Sequence, residues 1–292
     1  MSTSANTIPY FGVDIDLVDT GVDVRINDIS IHFNDEAGQL TVEKPAPDSI
    51  IDGVNSLSVA ISLPYDGEEK MTAYREGVYA SATLFRQDLD QHISIIEQNK
   101  NKQKLISLTL TVTGDGVQAR VEDHRTGEVT ETEIELPEDG TASFSTSTTI
   151  DSPFPRWAWQ DGDTIEDTKA NYESLLDTYR EIHSLLKAQD LEKLKALYSE
   201  RAREIAIAYG LDGEEAGHKK LSTGEDMFND QLKLDDLFLD EMNLEILGNG
   251  KLALIHNYFG AQPIFYFQPD PGLLHLYKFM FYRKNNQWIM IR

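Results

Sequence analysis

The chain of 292 residues has no cysteine, which excludes disulfides, thiolate metal centres and a cysteine nucleophile, and fits a reducing compartment. It also has no long apolar run: every hydrophobic stretch falls well short of the roughly 20 residues that span a bilayer. The opening MSTSANTIPYFGVDID lacks the basic n-region and apolar core of a signal peptide, so the expectation is a cytoplasmic protein with no membrane segment. Basic residues are few: Lys and Arg total 26 against 50 Asp and Glu, a formal net charge of −24. A field of that sign repels nucleic-acid backbones and anionic lipid heads and attracts basic partners, so nucleic-acid binding is not expected. Residues 1–150 hold 26 acids against 10 bases and residues 151–292 hold 24 against 16, so both halves share the excess. Solubility or adaptation to a salty medium would give the same composition, and composition alone leaves these open beside a basic partner.

Reaction motifs are missing too. The histidines (His32, His92, His124, His183, His218, His256 and His275) show no H-x-H or H-E-x-x-H spacing, and there is no G-x-S-x-G, P-loop or dinucleotide fingerprint. Asp161, Asp163 and Glu166 resemble a calcium loop without its glycine and distal bidentate glutamate. The sequence therefore identifies no catalytic residue, no metal site and no cofactor.

What is present is a change of period. From residue 10 to about 150, GVDVRIND, NSLSVAISLP, GVYASATLF, LISLTLTVTGDGVQARVED, EVTETEIEL and TASFSTSTTI alternate apolar and polar residues between Gly, Asn, Asp and Pro signals. Eight or nine strands with one polar face each predict an all-β sandwich or jelly roll over residues 1–152, with DQHISIIEQNKNKQK as a charged loop. From about residue 163 the apolar residues Tyr172, Leu175, Leu176, Tyr179, Ile182, Leu185 and Leu186 form a helical stripe, with Asp163 or Thr164 placed to cap it. Asp190 caps a second helix that Gly210 stops, and Ser222 with Glu225 suggests a third through EDMFNDQLKL. FLDEMNLEIL, KLALIHNYFG, PIFYFQ, LLHLYKFMFYRK and QWIMIR then read as an antiparallel meander. At 292 residues, two domains are expected: the β domain, a Pro/Trp linker strap over 153–163, and an α+β domain over 164–292.

Two stretches carry family resemblances. LLDTYREIHSLLKAQDLEKLKALY and the closing LHLYKFMFYRKNNQWIMIR resemble the helical hairpin and last hairpin of the nuclear-transport-factor-two-like superfamily. The resemblance implies a cone, with helices wrapped by a curved sheet over residues 164–292. It also implies a pocket at the cone's open end lined by His183, His256, Tyr258, Tyr266 and Tyr282. VRINDISI with IIDGVNSLSVAISL is similar to the N-G … G-x-N-x-L-x-V pattern of galactose-binding-like jelly rolls, with Asp28 where that pattern has Gly.

Two surface features complete the reading. In PFPRWAWQDG, Trp157 and Trp159 would share one side of an extended segment stiffened by Pro153 and Pro155, as an interdomain strap, a partner-binding grip or a sugar platform. In GEDMFNDQLKLDDLFLDEMN, Asp226, Asp230, Asp235, Asp236 and Asp240 alternate with apolar residues, as a solvated helix face or an acidic docking surface would. The function expected from these features is that of an acidic, non-catalytic binding protein of the bacterial immunity or adaptor kind, with a basic protein as partner. A small-molecule enzyme or binder using the cone pocket, and a carbohydrate-binding protein using the β domain, stay open beside it.

Overall fold

The structure, a computed structural model, describes residues 7–89, 101–114, 116–223, 228, 232–257, 260–268, 278–291 and, by backbone alone, 273–276. The chain divides into two compact units, Met1–Pro155 and Arg156–Arg292.

In the first unit the alternating runs form β1 (Ile8–Val18), β2 (Gly21–Ile26), β3 (Ile29–Asn34), β4 (Gln39–Pro45), β5 (Gly53–Ser62), β6 (Tyr65–Asp66) and β7 (Glu69–Lys70). They continue with β8 (Tyr79–Leu89), β9 (Gln103–Thr113), β10 (Gly116–Asp123), β11 (Glu128–Glu135) and β12 (Ala142–Ile150). Two antiparallel sheets result, in the orders β11-β10-β9-β8-β1-β4 and β12-β5-β2-β3, with β6 and β7 as a separate small hairpin. The period of two decides what is buried. Val13, Ile15 and Leu17 of β1, Leu57, Val59 and Ile61 of β5, and Leu108 and Leu110 of β9 are at most 1% exposed, because β5 and β12 lie against β8 and β9. Each such side chain contributes about 1.5–3 kcal/mol of burial. The edge strand β11 is exposed on both faces, and its Glu128, Glu131, Glu133 and Glu135 deter pairing with another chain.

The segment resembling a jelly-roll motif has a local structural explanation. Asn27 and Asp28 adopt φ of 52° and 63°, forming the two-residue turn between β2 and β3, so Asp28 itself takes the left-handed backbone expected of glycine. Asn55, fully buried, accepts from Ile51 N at 2.9 Å, donates to Ile51 O at 2.8 Å, and accepts from Asn27 Nδ2 at 2.8 Å. The asparagine of G-x-N-x-L-x-V therefore locks a loop to a hairpin. Most of the expected charged loop after β8, residues 90–100, lies outside the described residues.

In the second unit, α1 (Lys169–Ala188) and α2 (Leu191–Ala208) are the expected hairpin, and Asp190 accepts from Lys193 N to cap α2. Gly210, at φ 60°, follows its end. The cap of α1 differs from the expectation: Thr168, not Asp163 or Thr164, accepts from Asn171 N at 3.2 Å. The upstream backbone is bound elsewhere, with Asp163 N donating to Arg283 O and Ile165 N to Gly250 O. A further helix not expected from the sequence is α3 (Gly213–Lys220), with Glu214 and Glu215 in its first turn and Lys219 and Lys220 in its last, charges that complement the helix dipole. Ser222 sits beyond its C-terminus at φ 53°. Of the stretch expected to be helical, 224–227 and 229–231 lie outside the described residues, and Lys233–Leu234 is the short strand β13.

The remaining strands are β14 (Asn243–Leu247), β15 (Leu252–His256), β16 (Phe265–Gln268), β17 (Leu273–Leu276), β18 (Phe281–Lys284) and β19 (Gln287–Met290). They form two sheets, β14-β15-β18-β19 and β13-β16-β17, where the sequence suggested one meander. Ahead of β18 the buried Gln262 side chain accepts from Phe279 N at 2.7 Å and donates to Phe279 O at 3.0 Å, so a side chain satisfies this backbone where a strand could have. LLHLYKFMFYRK is thus two strands. The fully buried Tyr179 of α1 ties the helices to this region: its hydroxyl donates to Gln262 Oε1 at 3.0 Å and accepts from Ile255 N at 3.3 Å.

Candidate functional site

One open cleft lies where α1 ends beside β13 and β16. His183, Leu186, Lys187, Gln189, Phe228, Leu232, Leu234, Asp235, Asp236 and Tyr266 line a cleft of about 320 Å³. Its geometry follows from local structure. The stripe of α1 continues through Leu186 into the core, so His183, one turn earlier, is half-buried at the margin. Gln189 at φ 53° ends the helix and opens the wall. On the far side, Leu234 pairs with Tyr266, which places the next residues, Asp235 and Asp236, on the rim.

Hydrogen bonds fix the polar groups. The Nε2 of His183 lies 2.8 Å from Asp235 O, and since a carbonyl only accepts, Nε2 carries a proton and donates it. Asp236 N donates to Asp235 Oδ1 at 2.9 Å, orienting that carboxylate across the rim. Asp236 is almost wholly exposed, and Lys187 Nζ stands 4.0 Å from its Oδ1. The floor is apolar, from Leu186 and Tyr266, both buried, with half-buried Leu232 and Leu234. The arrangement can hold an apolar group beneath a cation.

This cleft joins residues that the sequence placed on two different surfaces: His183 and Tyr266 from the expected pocket, Asp235 and Asp236 from the acidic stretch. Lys187 and Gln189 had not been singled out; the visible signal for them was the break between the two helices at Gln189–Asp190. Two other expected pocket residues, His256 and Tyr282, do not line the cleft. On β15 it is Ala253 and Ile255 that enter the helical core, so Leu254 and His256 are on the opposite face of the sheet. There His256 Nε2 meets Glu245 Oε2 from β14 at 3.2 Å, an acidic neighbour supplied by the adjacent strand. Tyr282 alternates with the core residue Phe281; burial, then Glu200 and Glu204, push its phenol up to about 12. Tyr258, Asp226 and Asp230 lie outside the described residues, and Asp240 is exposed but does not line the cleft.

The tryptophan segment is not extended. Ala158–Asp161 is a 3₁₀ turn, and Trp157 and Trp159 are 1% and 3% exposed. Ala158 N donates to Glu204 Oε1 at 2.9 Å, which fixes the turn to α2. Among the described residues no group of three or more His, Asp or Glu stands where it would hold a metal ion, and no helix is long and apolar enough to cross a membrane. No protein-family model, curated protein or solved structure matches the chain.

Proposed function

We propose that this is a cytoplasmic binding protein of the immunity or adaptor kind, built as a β-sandwich followed by an α+β cone, and that its partner is a basic protein. The cleft between α1 and β13 receives an amphipathic basic segment of that partner, an apolar side chain on the Leu/Tyr floor and a Lys or Arg between Asp235 and Asp236. The observation that carries this reading is the meeting of an acidic rim with an apolar floor in one cleft. The net charge of −24 supports it by drawing basic partners toward the surface.

The test is titration with an amphipathic Lys/Leu peptide and an all-Lys peptide of equal charge. The amphipathic peptide is expected to bind more tightly. Asp235→Asn/Asp236→Asn weakens it roughly 3- to 30-fold, the range for two exposed ion pairs. Equal affinity for the two peptides, or no effect of the double substitution, would assign the acidity to solubility instead.

A further inference from the structure

A second constellation lies on the outer face of the six-stranded sheet of the first unit. Strand register assembles it. Ser107 of β9 stands opposite Glu122 of β10 and opposite Thr83 of β8. Two residues beyond Glu122, His124 shares its face, and His124 N donates to Leu105 O, extending the ladder. Asp123 accepts from the backbone N–H groups of Arg125 and Thr126, fixing the turn in which His124 sits. The Arg125 guanidinium, and then these backbone bonds, hold its carboxyl below the usual range.

The distances set a direction. His124 Nδ1 is 3.3 Å from Glu122 Oε1, His124 Nε2 is 2.7 Å from Ser107 Oγ, and Ser107 Oγ is 2.7 Å from Thr83 Oγ1. A carboxylate only accepts, so in the neutral imidazole Nδ1 carries the proton and Nε2 accepts. Ser107 then gives its single proton to Nε2, and Thr83 gives its own to Ser107. The result is a nucleophile, a base and a carboxylate connected atom for atom as in a hydrolytic triad. The neighbouring rung provides an internal comparison: Ser81 and Thr109 form the same hydroxyl pair at 2.9 Å, with no histidine bonded to it among the described residues.

We propose that Ser107, His124 and Glu122 form an esterase-type nucleophilic site, with Ser107 and His124 as catalytic residues and Glu122 as a positioning residue. Ser107 Oγ attacks the ester carbonyl carbon as its proton passes to His124 Nε2, and the departing alkoxide takes that proton. Water then attacks the acyl-enzyme carbonyl, giving a proton to His124 Nε2; the acyl–Oγ bond breaks, the carboxylic acid leaves, and His124 returns that proton to Ser107 Oγ, so ester and water become acid and alcohol and the site is restored. Since the residues lie on a sheet face, the substrate is an ester with a projecting carbonyl, such as a short acyl ester. The acidic surroundings favour neutral or cationic esters over anionic ones.

The test is labelling of the full chain with a fluorophosphonate, the modified peptide being located by mass, together with hydrolysis of 4-nitrophenyl acetate. A single adduct on Ser107 is expected, absent in Ser107→Ala and unchanged in Ser81→Ala. His124→Gln slows labelling and hydrolysis by roughly 10²–10⁴-fold. Glu122→Gln lowers kcat with KM retained, which a merely structural role would not produce. Circular dichroism of each variant separates loss of the site from loss of fold, and His124→Asn serves as a second base deletion. No adduct on Ser107, or an adduct formed at the same rate without His124, would overturn the proposal.

Discussion

The two units bury their apolar residues by different means. In the first, β1, β5, β8 and β9 are 10 or 11 residues long and pair over almost their full length, so backbone ladders carry the structure. In the second, β14 to β19 have only four or five residues each, and side chains make up for the missing ladder. Gln262 bridges Phe279, Arg283 donates to Asn171, and Trp288 Nε1 donates to Ser174 Oγ at 3.0 Å. A sheet stitched by side chains has margins that are not closed by strands, and it is at such a margin that the cleft occurs. The same construction makes the second unit the more vulnerable to single substitutions.

That contrast can be broken by experiment. The largest effect is expected for Tyr179→Ala, which removes a fully buried ring together with its bonds to Gln262 and Ile255, costing about 3–5 kcal/mol in urea unfolding. Gly217→Ala is expected to cost about 3 kcal/mol or more in the same assay, because a Cβ there runs into the Ala202 backbone across the α2–α3 contact. In the first unit the side-chain lock comparable to Tyr179 is Asn55, and Asn55→Ala is expected to cost about 1–3 kcal/mol by leaving buried partners unpaired. A loss at Asn55 equal to that at Tyr179 would erase the distinction between ladder and stitching.

The smallest effect is spectroscopic. Burial raises the phenols of Tyr74 in the first unit and Tyr282 in the second to about 12 from an ordinary 10.0. The folded state favours the neutral phenol, so this contribution to stability is complete below pH 10 and is lost as pH rises through about 12. Absorbance of tyrosinate should therefore rise first for the exposed tyrosines and later for these. Tyr282→Phe should remove amplitude from the late phase, and amplitude lost from the early phase instead would place Tyr282 among the exposed phenols.

Legibility in the sequence followed the same division. The strands of the first unit were readable because Val22, Val24 and Ile26 or Leu57, Val59 and Ile61 repeat at a period that only a strand satisfies. The α1 stripe and the Asp190 cap were readable for the corresponding helical reason. The separation of β16 and β17 from β15 and β18 was not, because a glutamine whose side chain satisfies backbone, as Gln262 does at Phe279, looks like any loop glutamine. Short strands such as β15 leave the period of two ambiguous about which face is inward, so the sequence did not show that Ala253 and Ile255, and not His256, face the helical core. The meeting of His183 with Asp235 spans 52 positions and depends on that rearranged sheet. Ser107, Glu122 and His124 had a weaker signal. Once TGDG is taken as the hairpin turn, register alone sets Glu122 against Ser107, yet no motif marks the pair.

The most direct test of the binding account is a methyl and aromatic NMR titration of the intact protein with the amphipathic Lys/Leu peptide. The account predicts saturable shifts concentrated at His183, Leu186, Leu232, Leu234 and Tyr266, and their loss in Asp235→Asn/Asp236→Asn. Shifts spread over the acidic strands of the first unit, or none at the cleft, would contradict it.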